Sequence, residues 1–523
     1  MQSLRASAGS SRGWRLAAAA AVVVATLSVS ACSPGGGGTE TGGGQAPTEL
    51  TIPVARQPSQ LDPVSASSGT DGYIWKSVYD TLVFTGPDGE YEPRAATEWS
   101  FSEDGLTMNL TLRDDLVFSD GTPATANDLK ATLERIRDTP GPSQREVEGI
   151  ASIEVTSDTA LTLTLSQPDP SLLRKFTGPA GIIAKAGELA EPGYGQNPIG
   201  SGPYILDLEA STPGAEYVLT KRDDHWNADN YPFSTVTVRV IEDSTALENA
   251  LRSGEVDVAP SVLPASRASL ESVPGIEISE VENTSQQTLI IADRDGTIQP
   301  ALADVRVRQA INMAFDRENI VANAMNGLGA PSEQVFYPTF DAFDEALNDT
   351  YEYDVEGAKD LLAEAGYPDG FSVTMPSIIY SGQLEPVVGQ ALADIGIDVT
   401  WQPIPAQDTV TAITSKSFPL VVWPDGNDPD GTVAFGHFSP QGFLNPFGSE
   451  DPELTEMLTR ARAAVSAEEA SAVYQEINEW GVENAWSAPI VKSHSLVAAR
   501  EGYAVVNTSY QIAPTLDQFD VSE

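Results

Sequence analysis

Residues 104–128 read DGLTMNLTLRDDLVFSDGTPATAND. Asp104-Gly105 is turn chemistry: Gly enters the left-handed backbone region freely, and Asp bonds its own chain. Residues alternate between apolar and polar on both sides of it, so 101–117 predicts a hairpin. Thr122-Pro123 predicts the start of a helix, with Thr as the cap and Pro at the first helical position. Ala126, Leu129, Leu133 and Ile136 then recur at helical spacing and form one apolar stripe. A hairpin running straight into an amphipathic helix means that strands and helices share one core.

The same mixture continues outward. ELTIPV at 49–54 predicts a strand, and 71–82 a helix with Ile74, Trp75, Val78 and Tyr79 on one side. Residues 153–155 and 161–165 predict a second hairpin. A strand at 236–241 leads into a helix at 244–252 that stops at Gly254. Helices are predicted at 305–324, 355–365, 383–394, 452–465 and 467–480, and short strands at 397–401 and 420–423. The fold class is therefore α/β, in the mixed α+β sense.

The chain has 523 residues and a formal net charge of −46, with 29 basic against 75 acidic side chains. Nucleic acid is excluded as a partner, because its binding needs Lys and Arg to neutralise phosphates. The first residues carry Arg5, Arg12 and Arg15, followed by an apolar run from 16 to 27 and then Val29-Ser30-Ala31-Cys32. A basic start, a short apolar stretch and small residues before a cut describe a secretory signal at 1–31. The run is shorter than the ~20 residues that span a bilayer. Residues 32–45 are Gly-rich and read as a flexible tether. Cys32 is the only cysteine, so no disulfide within the chain supports the fold.

No nucleophile elbow and no phosphate-binding loop occurs. His225, His437 and His494 are far apart and fit no metal-ligand spacing, so they read as surface or packing residues. The chain reads as a binding protein without cofactor or metal, and not as an enzyme.

Several segments, in order, resemble the family 5 extracellular solute-binding proteins, which include dipeptide, oligopeptide and nickel-binding receptors of ABC importers. They are LDP at 61–63, YDTLV at 79–83, EPRAA at 92–96 with Trp99, the opening block at 104–128, GSGPY at 200–204, LRSGEVD at 251–257, VRVRQAINMAFDR at 305–317, AKDLLAEAG at 358–366 and NDPD at 427–430. The likeness covers nearly all of the chain after the tether. It implies a two-lobe fold of the type II periplasmic binding-protein kind. One lobe would comprise 46–75, 193–285 and 485–523 with an inserted subdomain at 76–192, and the other 286–484. Two crossings between the lobes would let them close on a ligand by hinging. Val-Ser-Ala-Cys resembles the bacterial lipobox, which implies lipidation of Cys32 and anchoring at the extracytoplasmic face of the cell membrane. The implied partners are a small solute, a peptide first, and the permease and ATPase subunits of an importer, with the receptor acting as a monomer. Arg306, Arg308 and Arg317 read as surface or interlobe ion pairs.

The segment VVWPDGNDPD at 421–430 carries the candidate binding chemistry. In the peptide-binding members, an Asp four residues before the Pro of this segment grips the peptide's ammonium. Here that position is Asp425, whose carboxylate suits an ammonium through a charge-assisted hydrogen bond. The plain alternative is an Asp capping its own turn. Trp423 offers an aromatic face, and Asn427 and Tyr380 complete the candidate set. The Arg that anchors the ligand's carboxylate in the dipeptide receptor is missing: Lys416 is the only basic residue between 370 and 429. Another cationic solute, a metal chelate, or a signalling peptide bound without transport therefore stay open as ligands.

Overall fold

The computed structural model describes residues 47–522 except 56, 58–60, 67–71, 87–90, 103, 170, 192, 379–380, 406–407, 465–466 and 507–514. The signal, Cys32, the tether and Tyr380 lie outside the described residues.

The opening block folds as its turn chemistry dictates. Ala96–Phe101 and Thr107–Leu112 pair antiparallel around Asp104-Gly105, where Gly105 takes φ +66°. Ile150–Ser157 and Ala160–Leu165 complete a four-stranded sheet. The helix Ala126–Asp138 packs on that sheet through Leu129, Leu133 and Ile136, all fully buried with Met108, Leu110 and Leu163. One expectation fails here. The helix begins at Ala126, with Thr125 as its cap, and not at Thr122-Pro123. Pro123 instead bridges Val117 in an extended pair, which removes the preceding dipeptide from the helix. Asp128 holds the true start. Its Oδ2 accepts from the Thr125 N–H at 2.9 Å and the Thr125 hydroxyl at 2.8 Å, and its Oδ1 from the Ala186 N–H at 3.0 Å.

A second four-stranded sheet has the order Glu49–Val54, Thr235–Val240, Glu216–Lys221, Tyr204–Thr212, with its first pair parallel. The short helix Gly72–Val78 is inserted in its core and buried all round except at Lys76. The GSGPY segment passes directly against this helix. A Cβ on Gly202 would stand 2.5 Å from the Ser77 carbonyl oxygen, so only Gly permits the approach. Buried Arg222 joins the two sheets by donating to the carbonyls of Val117, Phe118 and Gly202. His225 is a packing residue, as its isolation predicts, with Nε2 3.2 Å from buried Asp80.

The third sheet contains two long strands, Ile276–Ile291 and Ala488–Arg500, paired antiparallel from Ile276↔Arg500 to Leu289↔Ala488. Val258–Val262 flanks one end of the pair and Leu420–Gly426 the other. The register breaks between Val281 and Ser285, where Asn283 takes φ +52°. Beyond the break, Leu289, Ile291, Leu420 and Val422 join a separate core with the helices Val305–Met313, Val355–Glu364 and Glu385–Asp394.

The predicted helix over 305–324 is not continuous. It stops at Met313, and a new turn starts with Asp316, whose carboxylate accepts from the Asn319 N–H. The arginines of this segment are also mostly not surface pairs. Arg306 is, with Asp304, but Arg308 is buried against the carbonyls of Leu302, Ala303 and Asn484. Buried Arg317 binds Asn312, Glu333 and the carbonyls of Ser332 and Pro489. The Arg308 and Arg317 guanidiniums satisfy buried backbone carbonyls that the apolar core cannot. No described helix is long and apolar enough to cross a membrane.

Because Asp128 satisfies two segments at once, Asp128→Ala leaves the Thr125 and Ala186 N–H groups without acceptors. The expected loss is about 1–3 kcal/mol in denaturant unfolding. A loss near zero would mean that water replaces the carboxylate.

Candidate functional site

The strand Leu420–Gly426 is longer than predicted and carries Asp425 inside its paired length, opposite Gln286. Asp425 is therefore not a turn residue capping its own loop. Its strand position follows from the apolar run before it: Leu420, Val421 and Val422 are fully buried and hold the register. Asp425 lies two residues beyond Trp423 on the same sheet face, because side chains alternate along a strand. Trp423 packs edge-on against Phe443 at 5.3 Å.

The next strand neighbour extends this row. Gln286 pairs with Asp425 on one side and with Lys492 on the other. A carboxylate, an amide and an ammonium thus sit side by side on three adjacent strands. Lys492 is buried and donates to the Ser332 hydroxyl and the Gln334 carbonyl. It also lies over the rings of Tyr337 and Phe343, at 5.3 and 5.4 Å. Burial depresses its pKa well below the usual lysine range. Tyr337 reaches the site too, donating its hydroxyl to the Asp425 carbonyl at 3.1 Å.

His437, which its isolation in the sequence reads as a surface or packing residue, meets Asp425. Its Nε2 is 3.3 Å from Asp425 Oδ2. The approach lacks hydrogen-bond alignment, so Asp425 Oδ2 has no donor, and His437 Nδ1 has no partner either. His437 is held by the helix Asp430–Phe438. Phe438 stacks between Phe336 and Trp486, and the Trp486 indole donates to the His437 carbonyl at 2.9 Å.

The NDPD turn supplies further acceptors. Asn427 is buried and donates to the Thr339 hydroxyl at 3.2 Å, while its Oδ1 is unpartnered. Asp430 accepts from the Ala342 N–H at 2.9 Å through one oxygen, and its other oxygen is unpartnered. Burial, opposed by the Ala342 N–H and reinforced by Asp341, pushes its pKa up to about 7. Gln286 Oε1 is unpartnered as well. Buried polar atoms are normally hydrogen-bonded, so four oxygens without hydrogen-bond partners in this one row and turn are an unusual concentration. Asp428, between Asn427 and Asp430, forms an ion pair at 2.7 Å with Arg174. Lys416, the lone base of the preceding stretch, bonds the Phe447 carbonyl and is exposed, so it does not join the site.

Comparison with known proteins agrees with this architecture. The family model for bacterial extracellular solute-binding proteins, family 5 middle, matches residues 90–445. The glutathione-binding protein GsiB of Escherichia coli (strain K12) is 28% identical over 360 residues, covering 67% of this chain and 69% of that protein. The solved structure of AgaA from A. tumefaciens R10, in complex with agropinic acid, is 25% identical with a TM-score of 0.75 over 91% of this chain and 99% of that one. DppA of Helicobacter pylori, in complex with the peptide STSA, shares the fold with a TM-score of 0.76 and 22% identity over 91% of this chain and 99% of that one.

The raised pKa of Asp430 gives a stability signature. From its ordinary value of 3.8 up to about 7, the folded protein holds a proton that the unfolded chain has lost. This contribution to stability is therefore present at acid pH and lost as pH rises toward 7. Asp430→Asn removes the slope. The melting temperature of the native protein, relative to the variant, should fall between about pH 5 and pH 7. A constant difference across that range would contradict the assignment.

Proposed function

Because the chain belongs to the bacterial extracellular solute-binding proteins of family 5, we propose that its Asp425 carboxylate receives the ammonium of an amine-bearing solute, a peptide by preference. The observation that carries this reading is the buried Asp425 Oδ2 with no hydrogen-bond donor. A buried carboxylate oxygen that His437 Nε2 approaches at 3.3 Å without hydrogen-bonding it is costly, and an ammonium removes the cost by a short charge-assisted bond. Asn427 Oδ1 and Gln286 Oε1 are the natural acceptors for the solute's further N–H groups, and Trp423 forms an aromatic wall. Tyr380 stays a candidate on its place in the sequence alone. Relatives support the class: one binds glutathione, which carries a free amine, and another is solved with a peptide.

Function follows from linkage. The lobe of 46–75, 193–285 and 485–523, with its subdomain 76–192, and the lobe of 286–484 close on the solute about the two long crossing strands. The solute favours the closed form only by binding it more tightly. An ABC permease then takes the solute from that form. The protein binds and hands over; it does not turn the solute over. Cys32 carries the lipid that holds the receptor at the extracytoplasmic face, with 32–45 as the tether.

Two measurements test this reading. Calorimetry with tripeptides should show binding of the free-amine form, and N-acetylation or Asp425→Asn should each weaken it at least about tenfold, or 1.4 kcal/mol. Equal affinity of the acetylated peptide, or of the variant, rejects the role of Asp425. For the anchor, Cys32→Ala should move the protein from the membrane fraction to the medium or periplasm. Unchanged membrane association rejects lipidation at that residue.

A further inference from the structure

His437 lies in the last turn of the helix Asp430–Phe438, and its side chain is buried. The Trp486 indole donates to its carbonyl at 2.9 Å, and the next residue, Phe438, stacks on Phe336 and Trp486. These contacts hold the backbone of His437, and with it the ring, beside Asp425, whose side chain is only 13% exposed.

Nε2 stands 3.3 Å from Asp425 Oδ2 without hydrogen-bond alignment, and both Oδ2 and His437 Nδ1 are buried without hydrogen-bond partners. Two groups able to satisfy one another are thus close and unjoined. A neutral imidazole has one N–H and one lone pair, so it can stand at this distance without serving the carboxylate. An imidazolium donates from both nitrogens. A small turn of the ring then makes Nε2–H a charge-assisted partner of Oδ2.

The other charged and titratable groups around this helix are engaged elsewhere. On the helix itself, Asp430 accepts from the Ala342 N–H. From Ala467–Glu483, the Tyr474 hydroxyl lies against Gly431, where a Cβ would stand 2.9 Å from it. From Pro452–Ala463, Arg462 lies over the Phe435 ring at 4.8 Å. In the segment that carries Phe336, Glu333 pairs with Arg317, Tyr337 donates to the Asp425 carbonyl, and Asp341 accepts from Ser471. On the sheet, Lys492 donates to Ser332 and Gln334. Among the described residues, Asp425 is the one charged group that meets the His437 ring.

One carboxylate oxygen cannot neutralise two cations. With an ammonium on Oδ2, a proton on His437 places a second positive charge close by in a buried site, and that charge is disfavoured. With the imidazolium on Oδ2, the ammonium loses its acceptor. We infer that His437 is the proton-dependent partner of Asp425, occupying Oδ2 in acid and yielding it to the solute's ammonium near neutral pH. The inference rests on the reading of Asp425 as the amine receptor. Binding in acid is then an exchange of cations. The ammonium bonds to Oδ2, the Nε2–H bond of His437 breaks, and its proton passes to the buffer. Histidine as a residue changes charge between about pH 5 and pH 8, so acid weakens the hold on the solute.

Two measurements on the full chain test this. The first is calorimetry with trialanine at pH 7 and pH 5, a range in which a peptide amine, with its ordinary value of about 7.7–8.0, stays mostly protonated. The native protein should bind at least about tenfold more weakly at pH 5, and the affinity of His437→Gln should change less than about threefold. Asp430 titrates in the same range, because burial pushes its pKa up to about 7. An equal loss in His437→Gln therefore assigns the pH dependence to Asp430 and overturns the inference, as does a native affinity that does not change. The second measurement needs no solute. Urea unfolding of the native protein, Asp425→Asn, His437→Gln and the double variant gives the coupling of the two residues, with His437→Asn in place of His437→Gln if the latter does not fold. The coupling should favour the folded state at least about fivefold more at pH 5 than at pH 7. Equal coupling at both overturns the inference, whether or not trialanine binds. Coupling that rises in acid while trialanine does not bind supports the acid-formed pair and rejects the amine reading of Asp425 alone.

Discussion

The pairing of Ile276–Ile291 with Ala488–Arg500 is the constraint on which the rest of the structure depends. It is one long ladder, interrupted in register, that serves two separate cores. At one end Val258–Val262 joins it, and Ala498 packs with Leu251 and Val256. At the other end Leu420–Gly426 joins it, and Leu289 and Ile291 enter the core of the helices Val305–Met313 and Val355–Glu364. Backbone pairing resists shear and permits bending where the register is interrupted, as it is between Val281 and Ser285. Thr284 and Ser495 bond side chain to side chain at 2.7 Å across that interruption. Small polar groups thus meet at the break, next to Val281, which packs against the apolar core.

The same ladder decides the chemistry of the site. Asp425, Gln286 and Lys492 are brought into one row only because their strands are in register. A slip of one residue would turn all three to the opposite face. Lys492 is fully buried with neutral oxygens and two aromatic rings around it, so its depressed pKa and the unsatisfied oxygens nearby belong to one low-dielectric environment. In such an environment a polar group without a partner is costly, and a well-matched one is strongly held. The overall charge of −46 has a different role: it keeps the surface soluble, while the site depends on a handful of dehydrated groups.

Much of the fold was legible because its signals are local. Asp104-Gly105 fixed a hairpin, and Gly254 and Gly366 ended helices at φ +78° and +95°, each by short-range chemistry. Thr122-Pro123 misled because it carries the same cap signal as Thr125, and only the bridge from Val117 to Pro123 chooses between them. The helix over 305–324 misled because apolar periodicity continues across Asp316, whose carboxylate starts a new turn. At the site, Asp425, Trp423 and Asn427 share one stretch of chain and could be picked out together. His437 could not, because it reaches Asp425 through the packing of Phe438 between Phe336 and Trp486. Gln286 and Lys492 were hidden for a related reason: strand register across two crossings has no signature in spacing.

The central claim is that this receptor holds an amine-bearing solute on Asp425. Native mass spectrometry of the full chain, purified without denaturation from its source cells, tests it most directly. The account predicts a retained small molecule that reacts with an amine-selective reagent once released, and that is absent from the Asp425→Asn protein prepared in the same way. A retained molecule with no amine, or one held equally by the variant, would contradict it.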